Sequence, residues 1–434
     1  LLAAPTIVLA DGAPDPTFFG DGLYAVGAAP DTLFVRSIVP SRDGSSLFWA
    51  GTRNTAAAPG LHARLAVVSD TAALGHFDLV LANGAATLFE TLTIDGSGRA
   101  VGGGVAYLTN GSSRLLLVRF LANSLDLDPS FDSDGVLMLD LGVPAGSDQT
   151  VFALAPDGDD IIVLAAGSFN PQNTGDRTFM VARLLPSGEL DAGFGAGGWA
   201  ELEPPGPSLF MTLAVHPGGR IYVGGDGRSA NGTNQDFLLY ALDPSGTPDA
   251  DFGTGGLLHV TFGASSDEYS TDMALLSDGR VVMSGLHFRD IEPSQVGAVA
   301  MIRPDGTFDE GFGLGGRLVS PFFDLFNAVQ PQGDGRLLLS AHTWAPNDGI
   351  RILRTSPDGT WDPTWDADAA FLPFAEGSYD APRDLVLHGG RVVVAASLLN
   401  ELPDSSLVGL ARLQNSYVFA DGFELGSTAS WSTP

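Results

Sequence analysis

The chain contains no cysteine and no lysine. Without cysteine there are no disulfides, thiolate metal sites or cysteine nucleophiles, and the redox compartment stays undetermined. All 21 basic residues are arginine, set against 51 acidic ones for a net charge of −30. Such a surface repels nucleic acid and anionic membrane, which both need a cationic footprint. No apolar run reaches the roughly 18 residues of a membrane span. Nor does any stretch keep the 3.6-residue hydrophobic period of an amphipathic helix. Charged residues make up 17% and hydrophobic ones 44% of the 434 positions, the balance of a globular chain. With 56 glycines and 28 prolines, turns are frequent, as short strands require.

What is present is a repeat. An aromatic stands three residues after an aspartate in Asp191/Phe194, Asp249/Phe252 and Asp309/Phe312, each time followed by a Gly-x-Gly-Gly step. Weaker copies occur at Asp15/Phe18, Asp128/Phe131 and Asp362/Trp365, and a seventh at Phe77, where Leu74 takes the place of the aspartate. A second landmark falls once per unit: Asp43-Gly44, Gly98-Arg99, Asp157-Gly158, Gly219-Arg220, Gly279-Arg280, Gly335-Arg336 and Gly390-Arg391. Two landmarks in phase seven times define seven units of about sixty residues, a period characteristic of repeat architectures.

Each unit parses into four short β-branched or aliphatic runs separated by turn residues. In the unit from Thr247 to Gly306 these are Leu257–Phe262, Thr271–Leu276, Arg280–Leu286 and Gly297–Arg303. The pattern predicts an all-β chain, a seven-bladed β-propeller of four-stranded antiparallel blades. The units run approximately over 14–70, 71–124, 125–188, 189–246, 247–306, 307–359 and 360–414, with 415–434 as a C-terminal tail and sorting-segment candidate. Either Thr6–Gly12 or Val408–Leu413 is expected to close the ring.

At Leu242-Asp243-Pro244-Ser245-Gly246, Phe252-Gly253-Thr254-Gly255-Gly256 and Asp278-Gly279-Arg280-Val281-Val282 the chain resembles the bacterial delta-60 repeat family. That resemblance implies an exported bacterial repeat protein and brings no catalytic residues with it. The opening Leu1-Leu2-Ala3-Ala4-Pro5 reads as the trimmed end of a signal peptide, which also points to a secreted or cell-envelope location.

In an up-and-down blade, the Asp-Gly turns and the glycine-rich links emerge on one rim, which repeats itself as a scaffold would. The opposite rim carries blade-specific polar loops, and such loops on a rigid frame are where binding commonly resides. The candidate ligand-binding residues there are Arg53, Asn173, Asp226, Arg228, Asn231, His287, Arg289, Asp290, His342 and Trp344. Trp344, Arg289 and Asn231 would supply stacking and hydrogen bonds. No catalytic residue and no cofactor is assigned. Ca2+ at the repeated aspartates is the weaker alternative to a structural role, in which aspartate caps the link and the aromatic fills the gap between blades.

The expected function is an exported, non-enzymatic, monomeric scaffold binding a glycan, an envelope component or a protein. The alternative is a divalent-metal-dependent hydrolase or lyase working at the channel mouth, for which His287 and His342 are the histidines in neighbouring loops.

Overall fold

The computed structural model describes residues 13–26, 32–54, 60–81, 86–144, 147–168, 177–230, 232–263, 266–289, 294–321, 324–343, 349–365, 371–372, 379–399 and 406–415. Among these there are 28 β-strands and no helix. The first strand, β1 (Leu23–Val26), belongs to the last blade. Blade 1 holds β2 (Thr32–Pro40), β3 (Leu47–Asn54), β4 (His62–Val68) and β5 (Ala73–Asp78). Blade 2 holds β6 (Ala86–Ile94), β7 (Ala100–Tyr107), β8 (Ser113–Arg119) and β9 (Val136–Leu139). Blade 3 holds β10 (Gln149–Asp157), β11 (Asp160–Ser168), β12 (Arg177–Leu184) and β13 (Trp199–Leu202). Blade 4 holds β14 (Ser208–Val215), β15 (Ile221–Arg228), β16 (Gln235–Leu242) and β17 (Leu257–Val260). Blade 5 holds β18 (Asp267–Leu275), β19 (Val281–Phe288), β20 (Gln295–Ile302) and β21 (Arg317–Val319). Blade 6 holds β22 (Asp324–Pro331), β23 (Leu337–Thr343), β24 (Gly349–Thr355) and β25 (Phe371–Leu372). Blade 7 holds β26 (Tyr379–His388), β27 (Arg391–Leu399) and β28 (Ser406–Leu413), completed by β1.

The chain is therefore a seven-bladed β-propeller. Its ring closes with β1 laid antiparallel on β28, Leu23 facing Ala411, so the first and last described strands share blade 7. Val408–Leu413 lies within β28, the third strand of that blade. Thr6–Gly12 and the tail 416–434 lie outside the described residues. The sequence unit and the blade are offset by one strand: Leu257–Val260 pairs with Phe237–Tyr240, making it the outer strand of blade 4. Loops still alternate between the rims, so the offset leaves the two faces as the sequence separates them.

The core is divided into seven apolar layers, each between two neighbouring blades. The repeat aromatic plugs one layer each time. Phe131, Phe194, Phe252, Phe312 and Phe18 are wholly buried between their own blade and the next, and Trp365 does the same between blades 6 and 7. Burying one such side chain contributes about 1.5–3 kcal/mol.

The two sequence landmarks meet in space. The turn arginines Arg99, Arg220, Arg280, Arg336 and Arg391 reach the motif aspartates Asp128, Asp249, Asp309, Asp362 and Asp15 of their own blades, at 3.5, 2.5, 2.6, 3.6 and 3.3 Å. In blades 2, 3, 6 and 7 a third-strand arginine lies over the motif aromatic: Arg119 on Phe131, Arg183 on Phe194, Arg354 on Trp365 and Arg412 on Phe18. Blade 1, with Leu74 in place of the aspartate, has Ser46 at the turn position where those blades carry arginine. This rim is scaffold.

Every inner strand also carries one β-bulge, a local insertion that re-aims a side chain. The extra residues are Arg36, Glu90, Phe152, Met211, Thr271, Asn327 and Arg383. Opposite the residue preceding the bulge, the second strand places glycine or alanine: Gly51, Gly104, Ala165, Gly225, Gly285, Ala341 and Ala396. At Gly104 a Cβ would fall 2.0 Å from the Leu88 carbonyl oxygen, so the close approach admits only hydrogen there. The glycine runs around 102–104 and 224–225 thus make room for the bulge.

Candidate functional site

Six of the ten residues expected on the variable rim fall within the described residues; Asn173, Asn231, Asp290 and Trp344 lie outside them. Arg53, at the end of β3, pairs with Asp78, whose other oxygen takes Arg64 Nε at 2.6 Å. Arg228 is exposed at the end of β15 and donates to the Gly232 carbonyl at 2.6 Å. The Arg289 backbone N–H closes its loop onto the Ser294 carbonyl at 2.9 Å. His342 is buried within β23.

Asp226 and His287 are brought to the same place, the rim between blades 4 and 5. His287 Nδ1 lies 3.0 Å from Oε1 of Glu268, which also accepts from Ser266 Oγ at 2.5 Å. The second Glu268 oxygen, Oε2, is buried without a hydrogen-bond partner. Asp226 accepts a hydrogen bond from the backbone of Ser270, two residues along β18 from Glu268, and burial pushes its carboxyl up to about 7. Asp236 is also raised, by burial and then by the Glu268 charge, while His259 Nδ1 stands 3.3 Å from it. Asp226 therefore exchanges its proton near neutral pH. Among the described residues no three His, Asp or Glu side chains form a metal-holding group. Arg53 in blade 1 and His342 in blade 6 lie apart from this cluster.

Aromatic surface lies on the same rim. Tyr107 ends β7 and Tyr269 stands near the start of β18; they are 40% and 39% exposed. The Tyr269 ring packs edge-on against Phe288, with centroids 5.4 Å apart.

A second polar feature runs along the axis. The seven bulged residues line a central cavity of about 470 Å³. Arg36 Nε pairs with Glu90 Oε2 at 3.2 Å, and Arg383 of the adjoining blade also acts on Glu90. Burial raises Glu90 in spite of both arginines. The residues after two of the bulges are the carboxyls Asp272 and Asp384. Asp272 Oδ2 accepts the Val329 N–H of blade 6 at 2.8 Å. Asp384 Oδ2 accepts the Ile38 N–H of blade 1 at 2.8 Å and Ser37 Oγ at 3.0 Å. Both touch the cavity yet lie deep in protein, and burial pushes Asp272 to about 7 and Asp384 to about 6.

Sequence reasoning did not single out the axial residues. Their signal is a charge inside an otherwise apolar inner strand, as in Arg383-Asp384-Leu385-Val386 and Thr271-Asp272-Met273. Asp236 and His259 carry no such signal either, each standing inside a strand of its blade.

A family model described as a domain of unknown function (DUF5122), beta-propeller, matches residues 162–194 and 216–252. The repeat is propeller-forming. No curated protein matches the chain. Among solved structures, a protein of unknown function from Dyadobacter fermentans shares 14% identity over 91% of this chain and 99% of its own, with a TM-score of 0.46. Sqt1 of Chaetomium thermophilum, solved bound to the N-terminus of ribosomal protein L10, shares 14% over 89% and 98%, with a TM-score of 0.47. The β-propeller domain of the Trilobed protease from Pyrococcus furiosus shares 12% over 86% and 91%, with a TM-score of 0.43. These likenesses concern the fold alone.

Proposed function

We propose that this chain is a delta-60 repeat protein of the bacterial envelope or secretome, a non-enzymatic, monomeric scaffold that binds a glycan through its variable rim. The observation that carries this reading is the contrast between the rims. On one, arginine and aspartate pair with each other blade after blade. On the other, Tyr107 and Tyr269 offer exposed rings within reach of blade-specific charged groups, Asp148 and Arg177 for the first and Asp267 for the second. Tyrosine gives a broad, rigid contact with a polar tip, the chemistry that sugar faces take.

The test is a thermal-shift panel of cell-wall and plant polysaccharides, run with EDTA and with Ca2+, on wild type and on Tyr107→Ala and Tyr269→Ala. Ligand at about 100 times its dissociation constant adds about 2.7 kcal/mol. A metal-independent upward shift that Tyr269→Ala or Tyr107→Ala abolishes is expected. A flat polysaccharide panel overturns the glycan reading and leaves an envelope component or protein as partner. A loss of stability in EDTA restored by Ca2+, with polysaccharide cleavage, would replace it by the metal-dependent hydrolase or lyase.

A further inference from the structure

We infer that the seam between blades 7 and 1 holds a binding site for the acetamido group of an N-acetylated amino sugar. The site is a pocket of about 190 Å³ between β1 of blade 7 and the outer strands of blade 1, walled by Tyr24, Val26, Trp49, Ala66, Val68 and Leu74. Rows of cross-strand neighbours show why it is open. In blades 3, 5 and 7 the second strand gives an aliphatic side chain, the third an alanine and the fourth a larger side chain. These rows are Val163–Ala182–Trp199, Met283–Ala300–Arg317 and Val394–Ala411–Leu23. Trp199 and Leu23 pack on the apolar layers, and Arg317 lies over the Phe308 ring, so each large side chain is laid against its blade. In blade 1 the row is Trp49–Ala66–His76. Its fourth residue does not fill the space, because the His76 side chain is 55% exposed. The room over Ala66 stays open, bounded by Tyr24 of the neighbouring blade.

The second-strand residue selects the chemistry. Where the other rows carry an aliphatic side chain, Trp49 brings an indole N–H. Trp49 is 1% exposed, and its Nε1 is buried with no hydrogen-bond acceptor among the described residues. A buried donor left unsatisfied is destabilising, and an acceptor arriving with a ligand removes that penalty. Val26, Ala66, Val68 and Leu74 make the rest of the wall largely apolar. Arg64, the charged side chain on the wall, donates to both oxygens of Asp78 at 2.6 and 2.8 Å. Burial, together with the Arg64 charge, holds His76 below the ordinary histidine range, so it stands there as a neutral ring at pH 7. The group that fits is therefore neutral, mostly apolar and equipped with an acceptor. A volume of about 190 Å³ falls below the roughly 300 Å³ at which drug-sized sites begin, so one group of a larger molecule enters. An acetamido group meets each condition, with its methyl against Val68 and Leu74 and its carbonyl oxygen accepting from Trp49 Nε1. The rings of Tyr24 and His76 on the same wall suit the face of the pyranose that carries it, whereas a slender alkyl chain would leave them bare.

The experiment is titration of the full chain with N,N′-diacetylchitobiose at physiological salt, followed by calorimetry and by tryptophan emission. The same disaccharide without its acetyl groups and cellobiose serve as controls. Saturable one-to-one binding is expected, with both controls at least tenfold weaker and a red shift of emission as the Trp49 indole gains its acceptor. Trp49→Phe keeps an aromatic in the core but removes the donor, and should weaken binding at least tenfold and abolish the shift. Leu74→Arg, at a lining position that is 59% exposed, should block the pocket without disturbing the core. Circular dichroism and melting curves confirm folding, and Leu74→Arg is read alone should Trp49→Phe not fold. Tyr107→Ala and Tyr269→Ala should leave binding unchanged, which separates this site from the proposed glycan face. Absence of binding overturns the inference, as does equal binding of cellobiose or indifference to the folded pocket variants. An acetylated lysine peptide that binds as tightly as the disaccharide overturns the assignment to a sugar.

Discussion

Arg280 in the turn between β18 and β19 donates to Asp309, the aspartate that opens the glycine-rich link after β20, at 2.6 Å. Burial works against the Asp309 charge, but the Arg280 hydrogen bond, a backbone N–H from Gly311 and Arg303 hold its carboxyl below the usual range. The residues that mark the repeat in sequence are thus the two ends of one ion pair. In blade 2 the pair is reinforced from the third strand, where Arg119 is 1% exposed and bonds Asp128 at 2.8 Å.

These two arginines should differ in worth. Arg280 and Asp309 keep some solvent contact, so Arg280→Ala should cost only about 1 kcal/mol. Arg119→Ala removes a buried partner and a stacked guanidinium over Phe131, and should cost about 3 kcal/mol even with Arg99 still near Asp128. Urea denaturation of both variants checks this; equal losses would mean that the buried arginine is no more than a surface pair.

The glycine beside the bulge gives a steric prediction. Gly104→Val places a Cβ 2.0 Å from the Leu88 carbonyl oxygen, so the inner strand of blade 2 must shift or the bulge must collapse. The expected loss exceeds about 2 kcal/mol. In blade 3 the equivalent Ala165 already carries a Cβ, and Ala165→Gly should cost no more than about 1 kcal/mol. Comparable small losses at both positions would show that the bulge imposes no constraint on its neighbour.

How much of this was legible follows from what a period can convey. Asp191/Phe194 and Gly219-Arg220 gave period, strand count and the scaffold rim, because the residues that hold every blade recur in every blade. A period carries no origin, however, and Leu257–Val260 could be read as the first strand of its own unit as readily as the last strand of blade 4. The candidate site was less legible for the converse reason. Arg36, Glu90, Asn327 and Arg383 share a backbone position but no residue type, so no motif marks them. Arg53 and His342 stand in polar stretches of the sequence, yet the fold turns the first onto Asp78 and buries the second in β23.

The axial carboxyls make stability depend on pH. Asp272, pushed to about 7 in the fold, has an ordinary carboxyl pKa when unfolded. Between about pH 4 and 7 the folded chain then holds a proton that the unfolded chain has released. This contribution to stability declines as pH rises through that window and is flat above it. Asp272→Asn removes the proton exchange, so the variant should gain on wild type by up to about 1.4 kcal/mol per pH unit across the window. Parallel stability profiles from pH 4 to 8 would show that Asp272 is ionised in the fold throughout.

Ring closure rests on a short N-terminal segment. Asp15 meets Arg412 Nε at 3.0 Å, Phe18 lies beneath the same guanidinium, and β1 covers the outer edge of β28. Truncating the chain before Thr32 would strand buried Arg412 without Asp15, leave a void where Phe18 sat, and expose the β28 edge. Phe18→Ala alone should cost about 3–5 kcal/mol, since a wholly buried aromatic leaves a cavity. Hydrogen exchange gives the sharper readout. Protection should fall first in β26–β28, whose blade loses its fourth strand, and only afterwards in blades 3 and 4 on the far side of the ring. A peptide spanning residues 13–26 added in trans should restore protection in β28, because the edge it pairs with is intact. Uniform loss across all seven blades would mean that the ring opens as one cooperative unit, with the closing segment acting on the whole propeller and not on blade 7 in particular.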